Sequence, residues 1–335
     1  MKLLVTGAAG FIGARFVEAC QKKSYSIISV DEPSYFSSRA EHRNIQFGKI
    51  VDRSTLFDWL KKHRPELNGI VHLGACTDTT EMDEQYLTRM NLEYSQSIWE
   101  YASQNKIPLV YASSAATYGD GNLGYDDAES RIVNLKPLNP YGESKRLFDL
   151  WALGQEKEGV TPPSWSAFKF FNVYGFGERH KGKMASVVLH AFDQIQKTGK
   201  TRLFKSHRLD IAHGHQKRDF IFVEDIVNVL FYALEKPIRR GIYNLGTGQA
   251  RTFLDLVRPV FSALKKPENI EFIDTPVAIR DRYQYFTEAK IERLRAEGCT
   301  NSFTSLEGGV SKYVQELLLK EESLSSSDQK AAGQK

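Results

Sequence analysis

A short apolar run, Lys2-Leu-Leu-Val-Thr6, stops at Gly7-Ala-Ala-Gly10-Phe-Ile-Gly13 and passes directly into a helical pattern that continues to Cys20. A strand that ends in such a turn and opens a helix commits the chain to a βα unit, because glycines allow the tight turn and close backbone approach. The helix N-terminus then faces any anion above the turn, and this context points to the pyrophosphate of a dinucleotide. The spacing is Gly-x-x-Gly-x-x-Gly, not the Gly-x-Gly-x-x-Gly of the dehydrogenase fingerprint.

Apolar runs at 26–30, 70–73, 109–112 and 167–171 each follow a helical segment, and 219–223 and 241–246 read as later strands with a helix over 252–266. Strands alternating with helices imply an α/β fold, a doubly wound parallel sheet. Residues 200–218 read as one long polar loop, and the Ser-, Glu-, Gln- and Lys-rich stretch 320–335 as a disordered tail. No clean linker is visible, so a smaller α/β substrate-binding domain is expected to be interleaved with the first. The expected division gives 1–170, 222–248 and 296–310 to the dinucleotide-binding Rossmann domain, and 171–221, 249–295 and 311–319 to the substrate-binding domain.

With 45 basic and 41 acidic residues the charge is too balanced to argue for a nucleic-acid partner. No apolar run approaches the roughly 18 residues of a membrane span, and the first strand begins too early for a signal peptide, so a cytoplasmic protein is expected. Cys20, Cys76 and Cys299 are an odd, scattered set, which suits a reducing compartment and offers no metal site.

Asp31 closes the second strand about 20 residues after the glycine turn, where an acid bonds the ribose 2′-hydroxyl and favours NAD. Glu32 adjoins it, and Arg39 and Arg53 downstream offer cations for a 2′-phosphate, so the residues leave NAD and NADP both open. Asp52 after the third strand is a candidate for the adenine.

Tyr141 and Lys145 stand four apart behind Asn139-Pro140, a cap and first-turn proline, so both side chains share one helix face. An ammonium beside a phenol is expected to lower its pKa from about 10, fitting it to pass a proton near neutrality. Ser113 and Ser114 end a strand in Tyr111-Ala-Ser-Ser-Ala-Ala-Thr-Tyr-Gly119, on the side where such sheets bind ligands. His72-Leu-Gly-Ala-Cys76 supplies small residues at another strand end, and Asn91 opens a helical stretch that can reach it.

Together these segments resemble the extended short-chain dehydrogenase/reductase family over 1–318. The stretches beginning at Gly74, Ser113, Phe171, His180, Lys217, Asn244 and Arg282 resemble, within it, the ADP-L-glycero-D-manno-heptose 6-epimerases. That resemblance implies inversion at C6″ of an ADP-linked heptose by transient oxidation with bound NADP, supplying a lipopolysaccharide inner-core sugar. It implies Tyr141 as one acid/base, Lys145 beside it, Ser114 on the reacting oxygen and Lys181 as the second proton carrier. For the cofactor it implies Gly7, Gly10, Phe11, Ile12, Gly13, Asp31, Glu32, Arg39, Arg53, Leu73, Gly74, Ala75, Cys76, Thr77, Asn91 and Val173, besides Tyr141 and Lys145. For the nucleotide-sugar it implies Ser114, Asn172, Lys183, His190, Phe204, Arg218 and Tyr283, with Arg218 suited to diphosphate oxygens. It also implies an assembly of identical subunits.

Lys183 stands where the family often has serine, and the loop 205–216 carries His207, His213 and His215 without a completing cysteine or carboxylate cluster, so no metal is expected. Ala115-Ala116 occupy the positions at which dehydratases carry an acid and a base, which argues against elimination of water. A nucleotide-sugar 4-epimerase fits Tyr141 and Lys145 but not the Lys181 segment. A non-catalytic NADP sensor would not need Tyr141, Lys145 and Ser114 together.

Overall fold

The computed structural model describes residues 1–236, 238–280 and 283–332. Arg282, in one of the stretches that carry the resemblance, lies outside them, as do 333–335.

Among the described residues twelve strands form three sheets: β1 (Lys2–Thr6), β2 (Ser26–Asp31), β3 (Lys49–Asp52), β4 (Gly69–His72), β5 (Leu109–Ser114), β6 (Trp165–Phe170), β7 (Asn172–Tyr174), β8 (Thr201–Phe204), β9 (Lys217–Phe222), β10 (Gly241–Leu245), β11 (Ala250–Thr252) and β12 (Ile270–Ile273). The main sheet is parallel throughout, in the order β10-β6-β5-β4-β1-β2-β3. Its inner strands are largely apolar on both faces because helices cover both, while the edge strand β3 exposes Lys49 and Ile50. Leu3 and Val5 pack into one core and Leu4, between them, into the other. On the first face lie α1 (Phe11–Lys22) and, near the C-terminal half, the helix Val223–Glu235, joined by Phe16 stacked on Phe231 at 4.7 Å. The second face carries Leu56–His63, Tyr94–Gln104 and Pro140–Glu158. We call the helices α2 (Leu56–His63), α3 (Tyr94–Gln104), α4 (Pro140–Glu158), α5 (Val187–Thr198), α6 (Val223–Glu235), α7 (Phe253–Ala263) and α8 (Leu306–Ala332).

The remaining strands lie outside that sheet. β9 pairs with β7 in parallel and β11 in antiparallel, while β8 and β12 form a parallel pair. With α5, α7 and α8 they enclose a third core around Phe192, Val257, Phe261 and Val314. The stretch 200–218 is therefore not one loop. Thr201 and Leu203 are buried in β8, whose alternation was too short to stand out from its polar neighbours, and the loop proper spans 205–216. The helix α8 runs to Ala332, and no proline or glycine interrupts the chain between Val310 and Ala332. No helix among the described residues is long and apolar enough to cross a membrane.

Candidate active site

The glycine turn lies at the carboxyl ends of β1 and β4. These are the central pair of the sheet, where the chain order reverses and a crevice opens. Gly7 is left-handed (φ +65°), and a Cβ there would stand 2.6 Å from Gly74 N. A Cβ on Gly13 would stand 2.0 Å from Gly7 O, so α1 presses on the turn and only backbone fills the space beside it. Gly10 bonds back to the Gly7 carbonyl at 2.9 Å, which leaves the first N–H groups of α1 facing outward beside buried Phe11 and half-buried Ile12.

A buried polar network joins this turn to the loop after β4. Thr6 Oγ1 accepts from Gly74 N at 3.1 Å and lies 2.6 Å from His72 Nδ1, while His72 Nε2 lies 2.9 Å from Ser95 Oγ. Ser95 gives its proton to the Asn91 carbonyl at 2.6 Å, so His72 carries its hydrogen on Nε2 and accepts from Thr6. Burial, with a smaller push from Lys145, drives the His72 pKa down to about 3, and the ring is neutral. Asn91 itself is fully buried in a π-helical turn, Thr88–Glu93, a bulge common at functional sites. Its side chain accepts from Cys76 N (2.8 Å) and donates to Cys76 O and Ser144 Oγ (both 3.0 Å). Leu73, Gly74, Ala75 and Cys76 are thus half-buried along the crevice, with Thr77 exposed at its rim.

α4 carries the reacting pair. Asn139 caps it by accepting from Gly142 N at 2.8 Å, Pro140 occupies its first turn, and left-handed Gly159 ends it. Its buried stripe runs Tyr141, Ser144, Lys145, Phe148, Asp149, Ala152, polar toward the crevice and apolar beyond it. Lys145 Nζ donates to the Ala112 carbonyl at 3.1 Å, and burial lowers its pKa to about 8. The Tyr141 phenol departs from the expected direction. Burial raises its pKa, opposed by a hydrogen bond with Ser114, and Lys145 does not counter that because its ammonium is turned to Ala112. The neighbouring serines divide their work: Ser113 donates to Asp149 at 2.8 Å, while half-buried Ser114 serves Tyr141 and accepts from Ala116 N.

Lys181 comes to the crevice from the other lobe. It sits in Arg179–Met184, two 3-10 turns that meet at a kink on Gly182 (φ +53°), with Nζ 5.5 Å from the centre of the Phe11 ring at the start of α1. Burial lowers its pKa and Glu178 opposes the shift. Glu178 is fully buried and anchors this segment, accepting from Ser186 N and Oγ at 2.7 and 2.6 Å. Two further ties hold it over the crevice: Arg179 N donates to Glu41 at 3.0 Å, and Thr79 Oγ1 lies 3.9 Å from Met184 Sδ.

Arg218 is buried among aromatic rings, 5.5 Å from the centre of Tyr283 and 5.7 Å from that of Phe253, and donates to the carbonyls of Lys217 and Gln284. Asp219 is engaged elsewhere, by Thr247, Gly248 and Ala289. Phe204 and His190 are half-buried on the same lobe, as is Val173 on β7, whereas Asn172 and Lys183 are exposed. Among the described residues no group of three or more His, Cys, Asp or Glu side chains is arranged to hold a metal ion, and His213 accepts from Ser206 N at 3.0 Å.

At the far side of the turn, Asp31 accepts from Ala9 N (3.0 Å) and Glu32 N (2.9 Å). Arg39 donates to the Ala9 carbonyl and lies 4.3 Å from the centre of the Tyr35 ring, and Arg53 is 4.0 Å from Glu32. Asp52 accepts from Ser54 N and Oγ at 2.8 Å through one carboxylate oxygen.

Sequence reasoning passed over Thr6, Ser95, Ser144, Asp149 and Lys169. A charge within the apolar run 167–171 was the visible signal for the last of these.

A parallel sheet with a glycine-walled crevice at its reversal point, a Tyr-Lys helix and a serine strand end together mark a nicotinamide-dependent enzyme. Residues 3–246 match the NAD dependent epimerase/dehydratase family, and the chain belongs to it. It is 41% identical to an ADP-L-glycero-D-manno-heptose-6-epimerase of Fusobacterium nucleatum over 96% of this chain and 99% of that one. It is 44% identical to the protein of that name from Nitratidesulfovibrio vulgaris strain DP4, over 94% and 97%. A crystal structure of the Helicobacter pylori ADP-L-glycero-D-manno-heptose-6-epimerase superposes with a TM-score of 0.78 at 24% identity, covering 94% of this chain and 95% of that one, and so shares the fold.

Proposed function

We propose that this chain inverts C6″ of ADP-D-glycero-D-manno-heptose to give ADP-L-glycero-D-manno-heptose, in the cytoplasm and as an assembly of identical subunits, with NADP as its cofactor. The reaction would supply the inner-core heptose of lipopolysaccharide.

The C6″ carbon bears a hydroxyl and no neighbouring carbonyl, so simple deprotonation is out of reach and the carbon must pass through a ketone. A bound nicotinamide supplies the hydride acceptor and donor for that passage. The chain's own residues manage the protons. Tyr141 takes the hydroxyl proton on one side, with Ser114 holding the oxygen and Lys145 the adjacent cation. On the other side Lys181 gives a proton to the ketone oxygen after the sugar has turned its opposite face. Its lowered pKa suits an amine that must release a proton near neutrality. Water has little room at Tyr141, which is 8% exposed. Arg218 is the match for the diphosphate, with Asn172, Lys183, His190, Phe204 and Tyr283 around it.

The crevice fits a dinucleotide because backbone alone lines it at Gly7, Gly13 and Gly74. NADP is favoured over NAD because Arg39 and Arg53 bring cations to the edge of the turn where Asp31 lies.

The observation that carries the reading is Lys181: its amine lies over Phe11 at the mouth of the glycine turn instead of in open solvent. Incubation with ADP-D-glycero-D-manno-heptose, followed by NMR of the C6″ configuration, tests it. Inversion is expected; unchanged sugar refutes the reading, and loss of water replaces it with a dehydratase.

A further inference from the structure

Behind Tyr141 and Lys145 lies an ion pair that the proposed chemistry does not use. Lys169 on β6 and Asp149 on α4 are both fully buried, with Nζ 2.6 Å from Oδ2. Lys169 also donates to Thr117 Oγ1 at 2.8 Å and lies 5.4 Å from the centre of the Tyr118 ring. Asp149 accepts from Ser113 Oγ at 2.8 Å and from the Tyr111 hydroxyl at 3.2 Å. Packing alone gives little reason for such a pair, because two charges taken from water are often replaced by apolar side chains without loss of stability.

Its position gives a better reason. Asp149 stands four residues after Lys145 and eight after Tyr141, on the same buried stripe of α4. Three titratable groups act on or feel the Lys145 ammonium: Asp149 from its own helix, the Cys76 thiol from the loop after β4, and His72 from β4. Tyr141 lies one turn before it. His72 is neutral, and burial pushes the Cys76 thiol up so that it stays protonated. Asp149 is then the one full negative charge opposing the burial of Lys145.

We propose that Asp149, fixed by Lys169, is a positioning residue whose carboxylate keeps Lys145 in its ammonium form and ties the Ser113–Ser114 strand end to α4. The proposal rests on the assignment of Tyr141 and Lys145 to the reacting site. Thr117 and Tyr111 complete the cage, so the charge cannot swing away as the substrate turns.

The test is an NMR titration of the full-length protein labelled with carbon-13 at lysine Cε, the Lys145 signal being the one lost in Lys145→Met. Asp149→Asn alone would strand the Lys169 charge, so both members change together, as Asp149→Asn with Lys169→Met or as Asp149→Leu with Lys169→Met. Asp149 is the carboxylate that raises the Lys145 pKa, so the midpoint should fall in both paired variants, by less than the loss of an unpaired opposite charge would give because the Lys169 cation leaves with it. The alkaline fall of turnover should move down with it. Asp149→Glu should leave both near the wild-type values. A midpoint unchanged in the paired variants overturns the proposal, as does an equal shift in Asp149→Glu. The midpoint needs no substrate, so a wild-type protein that leaves the heptose unchanged would refute the proposed reaction separately.

Discussion

Asn91→Ala is the sharpest single test of how the crevice is held. The Asn91 side chain makes three hydrogen bonds, to Cys76 N, Cys76 O and Ser144 Oγ, and is fully buried. Truncation leaves those groups without their partner in a place water does not reach, at about 1 kcal/mol each, or about 3 kcal/mol together. For a chain of 335 residues, a melting entropy of about 2.1 cal/mol/K per residue gives roughly 0.7 kcal/mol/K, so the midpoint should drop by about 4 °C. The damage should not be only thermal. Asn91 ties the loop after β4 to Ser144, and Ser144 donates to the Tyr141 carbonyl at 2.7 Å, so both walls of the crevice loosen together. Turnover should fall at least roughly tenfold even well below the melting point, since small misplacements of reacting groups are costly. Scanning calorimetry and initial rates at 25 °C measure the two effects. A midpoint within about 1 °C of wild type would refute the network as a support, and normal turnover in a destabilised protein would refute its role in placing Tyr141.

Gly13→Ala puts a Cβ 2.0 Å from the Gly7 carbonyl oxygen, forcing the turn to shift; titration calorimetry should show weakened cofactor binding, and unchanged affinity would contradict the assigned site. Tyr141→Phe and Lys181→Met should each cut turnover by orders of magnitude while cofactor stays bound, and normal turnover in the Lys181 variant would assign the second face to water or another group. Arg39→Ala should raise the Kd for NADP more than that for NAD; equal effects would remove Arg39 as a reader of the 2′-phosphate. A turnover that needs the Lys145 ammonium should fall as pH rises through about 8. Because this pKa lies below its ordinary value of 10.5, the unfolded chain holds a proton that the fold releases between the two. This group's contribution to stability therefore rises with pH across that window and is flat below it. Urea unfolding across the window should show that rise in wild type and lose it in Lys145→Met.

The main sheet was legible in the sequence because a buried parallel strand is a continuous apolar run and each ended at a turn or helix signal. β1, β2, β4, β5 and β6 were expected within a residue or two of where they lie. The cap of α4 was equally plain, since Asn139 and Pro140 act within one turn and need no tertiary context. β7, β8, β11 and β12 escaped notice because they are three or four residues long and depend on partners far along the chain. The site divides the same way. Tyr141, Lys145 and the glycine turn announce themselves by spacing. The protonation of Tyr141 does not, because spacing gives proximity to Lys145 but not the Ala112 carbonyl that claims its ammonium. His72 and Ser95 read as ordinary residues until folding brings them against Thr6 and Asn91.

The central claim is that the hydrogen leaving C6″ is the one that returns to it. ADP-D-glycero-D-manno-heptose carrying deuterium at C6″, converted in ordinary water, tests this directly by NMR and mass spectrometry of the product. Product of inverted configuration that keeps its deuterium is the predicted result. Inverted product in which protium from water has replaced it would contradict the account.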